Sequence, residues 1–198
     1  MQAVSFGDIL SFTKGSQDGL TSSDSSLRCD KSNLITQAVN LFREKTKVLF
    51  PIKIHLEKKI PKEAGLGGGS SNIATTLWAL NQFLKEPRSI ETLKHWAGLI
   101  SSDAPFFFSS GTAYATGRGE KIQDIQPSMN LSSLWIANPS FKLKTPEVYR
   151  NFNTENFNAI KDPYQIIEKI RKNPSEAIND LENAAFSIKP KLKEIKTD

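Results

Sequence analysis

Two sets of residues in this chain could do chemistry together. One is a run of glycines able to hold an anion, and the other is a carboxylate able to take a proton. The run is Pro61-Lys62-Glu63-Ala64-Gly65-Leu66-Gly67-Gly68-Gly69-Ser70-Ser71-Asn72. Four of the five positions from Gly65 to Gly69 are glycine, and three small polar residues follow. Glycine tolerates left-handed and bent backbone, and successive N–H groups form a concave nest for phosphate. A helix opening directly afterwards adds unpaired amides and the positive end of its dipole. The run is not a Walker loop, because no Lys follows the glycines. It is not a dinucleotide fingerprint either, because Ser70 stands where the last glycine belongs. A flexible linker is the bland alternative, and the ordered patterns on both flanks speak against it. The expectation is a phosphate cradle that binds a nucleotide.

The carboxylate is Asp103, in Ser101-Ser102-Asp103-Ala104-Pro105-Phe106-Phe107-Phe108. Flanked by Pro and three Phe, it is expected to sit in a partly desolvated pocket. There it could accept the proton of a hydroxyl that attacks a γ-phosphoryl group. On residue type alone, an Asp that caps a helix or turn is the more ordinary reading. His55 and His95 fall off the apolar stripes of their segments and read as solvated. No set of His, Cys or acidic residues has metal-ligand spacing, so no protein metal centre is expected. Cys29 is the single cysteine, which leaves no internal disulfide.

These groups need elements to position them. Residues 3–12 alternate in part and read as a strand, and 15–30 read as a polar loop with a weak strand at most. A helix is expected from near Ser32, with Leu34, Ile35, Ala38, Leu41 and Phe42 at three- and four-residue spacing. Phe50 to Lys58 reads as a strand with Ile52, Ile54 and Leu56 on one face. A helix follows the glycines to about Lys85, buried through Ile73, Leu77, Leu80 and Leu84. Another runs from Ser89 to Ile100, with Leu93, Trp96, Ala97 and Ile100 inward. Pro105 disfavours helix at Ala104. Residues 111–117 and 131–138 read as strands, and helices are expected near 145–152, 163–172 and 174–187. Strands and helices mix without strict alternation, which predicts an α+β fold. Gln126-Pro127-Ser128 looks like a linker, so a domain change is expected near residue 130.

The chain has 198 residues, twelve Phe, three Trp and 38% hydrophobic content, which excludes a disordered tail. Its net charge of +5 suits anionic substrates and is too small to argue for nucleic acid. The basic run Lys189-Pro190-Lys191-Leu192-Lys193 is most simply a solvated helix face. No apolar run approaches membrane-spanning length, and the start lacks the pattern of a secretory signal. A soluble protein of the cytoplasm is expected, or of a plastid if the source is a plant or alga.

Taken together, these segments resemble the superfamily of galactokinase, homoserine kinase, mevalonate kinase and phosphomevalonate kinase. Within it, they are similar to the branch that acts on 4-diphosphocytidyl-2-C-methyl-D-erythritol in the non-mevalonate isoprenoid pathway. The stretches that carry the resemblance occur in the family's order and span nearly the whole chain. They are Ser5-Phe6-Gly7-Asp8, Ser32-Asn33-Leu34-Ile35, the glycine loop, Ser102-Asp103-Ala104-Pro105-Phe106-Phe107 and Ala115-Thr116-Gly117-Arg118-Gly119-Glu120. Thr145-Pro146-Glu147-Val148-Tyr149 and Asn179-Asp180-Leu181-Glu182 follow them. The glycine loop is specific to the superfamily, while the Asp103 and Asn179 segments narrow the match to that branch.

The resemblance implies a two-domain α+β kinase fold. A ribosomal-protein-S5-like nucleotide domain would span 1–130, and an incomplete ferredoxin-like domain 131–198. Gly65, Leu66, Gly67, Gly68, Gly69, Ser70 and Ser71 would wrap the phosphates of ATP, with Pro61 leading in and Asn72 beginning the helix beneath. Lys58 matches a basic residue of the nucleotide site. Asn33 matches a residue near the adenine, where an amide can pair with a base edge, although a helix-starting Asn fits the sequence equally well. Asp103 matches the catalytic base that activates the 2-hydroxyl of the sugar alcohol. Thr145 lies in the cytidine-side segment, and Tyr149 falls where an aromatic stacks on the cytosine. Without the resemblance, Tyr149 would read as a core aromatic. Mg2+ is expected to bridge the ATP phosphates; Ser70 or Ser71 could contribute to holding it, and the sequence identifies no dedicated protein ligand.

The family also opens with a strand carrying Pro-Ala-Lys-Leu-Asn-Leu and a Gly-Tyr-His-type segment, and it ends with a third glycine-rich motif. None of these is in the chain, which therefore looks like the middle of such a kinase, cut at both ends. The implied partners are small molecules, ATP and a cytidine diphosphate sugar alcohol, with no nucleic acid and no membrane. Other readings are a different kinase of the superfamily, a non-catalytic nucleotide-binding remnant and, last, a basic nucleic-acid-binding module.

Overall fold

In the computed structural model, the residues described are 1–126, 136–139, 141–153, 162–173 and 178–197. The chain divides into two units, Met1–Gln126 and Pro127–Asp198. The domain change expected near 130 falls among residues 127–135, outside those described, as does most of the strand expected over 131–138. Residues 136–139 carry no regular structure.

The first unit is built on a three-stranded sheet. Strands β1 (Ile9–Lys14), β2 (Gly19–Ser22) and β3 (Ile52–Glu57) lie in the order β1-β3-β2. β1 runs antiparallel to β3 with Phe12 opposite Ile54, and β2 runs parallel to β3 with Leu20 opposite the same residue. Between β2 and β3 the chain forms helix α1 (Leu34–Thr46), so the three make a βαβ unit. Period-two alternation puts Ile52, Ile54 and Leu56 on the buried face of β3, with Lys53, His55 and Glu57 exposed on the other.

Helices cover the apolar face. α1 buries Ile35, Ala38, Val39 and Phe42, an i, i+3, i+4, i+7 stripe. It ends where Lys47 turns left-handed and its N–H reaches Arg43 O. Helix α2 (Gly68–Asn81) buries Ile73, Leu77 and Leu80, and α3 (Ile90–Ile100) buries Leu93, Trp96 and Ala97. Ser89 caps α3 by accepting the Thr92 N–H. Phe42 and Trp96 meet edge to face at 6.0 Å, joining α1 to α3 in one core with β3. Arg43 fastens the far end of α1, with two bonds to Asp18 at 2.6 and 2.7 Å and one to Phe50 O at 2.7 Å.

After α3 the chain makes a 3-10 helix (Ala104–Phe108) and a hairpin of β4 (Ala113–Thr116) and β5 (Lys121–Asp124). Helical structure at Ala104 corrects the expectation drawn from Pro105. The proline stands in the first turn, where its missing N–H has no intrahelical partner to lose.

The described part of the second unit is helical: α4 (Thr145–Arg150), α5 (Pro163–Lys172), α6 (Glu182–Ile188) and α7 (Lys191–Thr197). Asp162 caps α5 by accepting the Tyr164 and Gln165 N–H groups. α4 packs on α6, each burying one small apolar residue, Val148 and Ala184. Of the helix expected over 174–187, residues 174–177 lie outside the described set. No helix among the described residues is long and apolar enough to cross a membrane.

Candidate active site

The glycine run forms the turn between β3 and α2. Gly65 and Gly67 have φ of +71° and +66°, the left-handed region that glycine enters without strain. Gly67 is also the N-cap of α2, and having no side chain it leaves the helix end uncapped. The first intrahelical bond is Ser71 N–H to Gly67 O, 2.9 Å. The amides of Gly68, Gly69 and Ser70 precede it and point out of the helix end. Their direction and the helix dipole make this end a seat for phosphate oxygens.

The close fit around the loop comes from three neighbours. A Cβ on Gly67 would lie 3.0 Å from the Phe107 ring, one on Gly68 3.0 Å from Ile60, and one on Gly69 2.8 Å from Leu34. The loop is therefore packed against the 3-10 helix, its own entry segment and the start of α1. Ser70 Oγ lies 2.9 Å from Ser101 Oγ, which ties α2 to the segment leading into Asp103. The structure thus brings the glycine loop and the Asp103 segment together.

Asp103 occupies the N-cap position of the 3-10 helix but makes no capping bond with its side chain. The ordinary capping role weighed from the sequence is not taken up. The partly desolvated pocket is not found either, because Asp103 is exposed. The 3-10 turn sends Phe106 into the core and leaves the carboxylate at its outer end. Among the described residues that carboxylate has no hydrogen-bond or ion-pair partner. The β4–β5 turn lies beside it: a Cβ on Gly119 would come 3.6 Å from Asp103 Oδ1.

Asn33 is the N-cap of α1. Its Oδ1 accepts the Ile35 N–H at 2.9 Å, and its Nδ2 donates to Arg28 O at 2.7 Å. Both ends of the amide are engaged locally. Lys58 lies under the loop, with its ammonium 2.9 Å from Asp8 Oδ2 and also bonded to Ile60 O. Asn72 is buried and donates to the same Asp8 oxygen at 2.9 Å. Burial would push the Asp8 carboxyl up. The Ile60 N–H, the Lys58 ammonium, the Asn72 amide and the Lys59 N–H together outweigh it and hold the group below the ordinary carboxylate range.

A second attachment joins the loop to residues 23–30. Lys62 pairs with Asp24 at 3.1 Å and also bonds Ser26. Bonds from the Ser26 hydroxyl and N–H, with Lys62 beside them, lower Asp24 to about 2. Sequence reasoning gave none of Asp8, Asp24, Lys62, Ser101 and Phe107 a role of its own, because the contacts that matter at the loop join residues distant in sequence. Only Asp8 carried a signal, as the end of Ser5-Phe6-Gly7-Asp8, one of the stretches that carry the resemblance.

In the second unit, Thr145 and Tyr149 stand one turn apart on α4, and both are exposed. Tyr149 is 61% exposed, not the core aromatic its type suggests. α4 is short and uses Val148 as its buried residue, which turns Tyr149 outward.

No group of three or more His, Cys, Asp or Glu able to hold a metal occurs among the described residues. A magnesium ion that keeps its waters and rides on substrate phosphates needs no such cage. The amide-rich helix end fits that arrangement, with the half-buried Ser71 hydroxyl beside it.

Three comparisons bear on this site. Residues 33–111 match the model of the GHMP kinase N-terminal domain. A 4-diphosphocytidyl-2-C-methyl-D-erythritol kinase of Protochlamydia amoebophila is 47% identical over 195 residues, covering 98% of this chain and 66% of that protein. The chloroplastic/chromoplastic kinase of the same name from Solanum lycopersicum is 42% identical over 200 residues, covering 98% and 50%. A crystal structure of 4-(cytidine 5'-diphospho)-2C-methyl-D-erythritol kinase superposes with a TM-score of 0.68 at 30% identity, covering 95% of this chain and 67% of that one. The chain spans between half and two thirds of the length of these two curated relatives.

Proposed function

The chain belongs to the GHMP kinase family, and on that premise we propose that it carries the nucleotide cradle and catalytic base of an ATP-dependent kinase acting on 4-diphosphocytidyl-2-C-methyl-D-erythritol. The observation that carries this reading is the uncapped, glycine-lined start of α2, tied through Ser70 and Ser101 to the segment bearing a carboxylate that has no partner among the described residues.

Gly65 to Ser71 surround the phosphates of ATP, with Pro61 entering the loop and Asn72 anchoring its helix. The amides of Gly68, Gly69 and Ser70 meet the charge that develops on the transferring group. Asp103 accepts the proton of the substrate 2-hydroxyl as its oxygen bonds to the γ-phosphorus. The bond from that phosphorus to the bridging oxygen breaks, and ADP leaves with the electron pair. Mg2+, when bound, would supply charge neutralisation on the phosphates, and Ser70 or Ser71 would be the residues to help hold it. Asn33 lies toward the adenine, Lys58 is a basic residue of the nucleotide site, and Thr145 and Tyr149 hold the cytidine, Tyr149 by stacking. Both substrates are water-soluble anions, which suits the cytoplasm or a plastid stroma and requires no membrane or nucleic acid.

The test is incubation of the protein with ATP, Mg2+ and 4-diphosphocytidyl-2-C-methyl-D-erythritol, following ADP release and the position of the new phosphate. ADP with phosphate on the 2-hydroxyl, and none with homoserine or mevalonate, is the expected result. ATP binding without transfer to any of these alcohols overturns the kinase reading.

A further inference from the structure

We propose that Asp8 is a positioning residue of the nucleotide site, whose carboxylate sets the glycine loop in the geometry that presents the first amides of α2. The ligand rests on the kinase reading above, and the positioning rests on geometry alone.

Asp8 precedes β1 and lies outside the segment matched by the family model. Its side chain is 1% exposed, and that of its partner Lys58 is 10% exposed. Oδ1 accepts the Lys59 and Ile60 N–H groups, both at 2.8 Å, and a longer bond from Lys58 Nζ at 3.1 Å. Oδ2 accepts Lys58 Nζ and Asn72 Nδ2, both at 2.9 Å. One carboxylate thereby holds the chain leaving β3, the entry to the loop and the second turn of α2. Lys58 adds its bond to the Ile60 carbonyl, so both polar atoms of Ile60's backbone are engaged from this cluster.

A buried carboxylate is tolerated only when it is paired and hydrogen-bonded, and this one is satisfied at both oxygens. The loop it holds must keep two left-handed glycines and a helix end without a side-chain cap. The glycines of the turn bring no side chains to fix it, and its other side-chain attachments, Lys62 to Asp24 and Ser70 to Ser101, lie on either side of Gly65–Gly69. The buried anion supplies the fixed point on both sides of the turn. Asp8 acts through Ile60 and Asn72, so it takes no part in the reaction itself.

Asp8→Asn separates the two halves of this arrangement. With Oδ1 retained, the amides of Lys59 and Ile60 keep their acceptor. The new NH2 then faces two donors, Lys58 Nζ and Asn72 Nδ2, and the link to α2 is lost. Two readouts are taken on the full chain: hydrogen exchange of residues 60–71 without nucleotide, and ADP affinity with the KM for ATP. In the variant, exchange across the loop is expected to accelerate. The Kd for ADP and KM for ATP should rise together by roughly tenfold, with kcat at saturating ATP much less affected. A role confined to folding would lower the active fraction, and so kcat, while leaving KM in place. Asn72→Ala, which removes only the bond from α2, is expected to shift both readouts in the same direction by less. It decides the matter alone if Asp8→Asn does not fold.

Unchanged loop exchange and unchanged ADP affinity in the folded variants overturn the proposal. If the unsubstituted protein binds neither ADP nor ATP, the kinase reading falls. Loop exchange then still decides on Asp8, with acceleration keeping its positioning role and no change removing it.

Discussion

The Asp103 carboxylate makes no hydrogen bond or ion pair among the described residues, and its position at the outer end of a 3-10 turn leaves it facing solvent. Its removal should therefore disturb little of the fold and, on the proposed mechanism, nearly all of the proton transfer. Asp103→Asn is expected to leave the Kd for ATP within error and to lower kcat by roughly 10²- to 10⁴-fold. Single-turnover kinetics beside an ATP titration measures both, and near-normal turnover would remove Asp103 from the mechanism. Tyr149 poses the same contrast for binding. Truncating a core aromatic costs about 3–5 kcal/mol of stability, but this ring is 61% exposed. Tyr149→Ala is expected to leave Tm unchanged and to raise the KM for the cytidine substrate by roughly tenfold, since base stacking contributes about 1–3 kcal/mol. Tyr149→Phe should retain the wild-type KM. A large drop in Tm, or an unchanged KM, would take the cytosine away from this ring.

At the scale of elements, the glycine turn divides into positions with different demands. Gly67 combines φ +66° with a ring carbon of Phe107 at 3.0 Å from any added Cβ. Gly67→Ala is expected to destabilise the chain by about 1–2 kcal/mol through the left-handed backbone alone, and to weaken ATP as the turn shifts. Gly69 is helical, and the only close atom is the flexible end of Leu34. Gly69→Ala should therefore unfold at nearly the wild-type denaturant midpoint. Equal midpoints for the two variants would contradict this account. The same scale shows what the sequence made legible. β3, α1, α2 and α3 announce themselves because each has a core-facing stripe of its own. β2 and β5 do not: Gly19–Ser22 and Lys121–Asp124 are short and bury no residue fully, so their pairing is imposed by partners. The glycine turn was legible because its backbone needs residues of one type. The buried carboxylate beneath it was not, since its partners lie about fifty and more residues away and share no local pattern.

At the scale of the whole molecule, the long-range links of the first unit run largely through aspartates. Asp8 joins β3 to α2, Asp18 joins the β1–β2 connection to Arg43 and the Ile52 N–H, and Asp24 joins residues 23–30 to Lys62. All three carboxyls are held below their ordinary range: Asp8 by bonds that overcome its burial, Asp18 chiefly by Arg43, and Asp24 by Ser26 and Lys62 to about 2. A lowered folded-state value means that the unfolded chain binds more protons in acid. Their stabilisation is complete above the unfolded carboxylate value of about 3.9 and is lost as pH falls through the folded values. The melting temperature is therefore expected to be insensitive to these groups near neutrality and to fall below about pH 4. Asp18→Asn sharpens the test, because the variant lacks one of the titrating links at every pH. It should melt below the wild type at pH 7, and the gap should close as acid protonates Asp18 in the wild type and cancels the same interaction. Circular dichroism melts of both proteins between pH 7 and 2 measure the gap directly. A gap that stays constant or widens in acid would mean that the Asp18–Arg43 attachment contributes through packing of the two side chains and not through their charge.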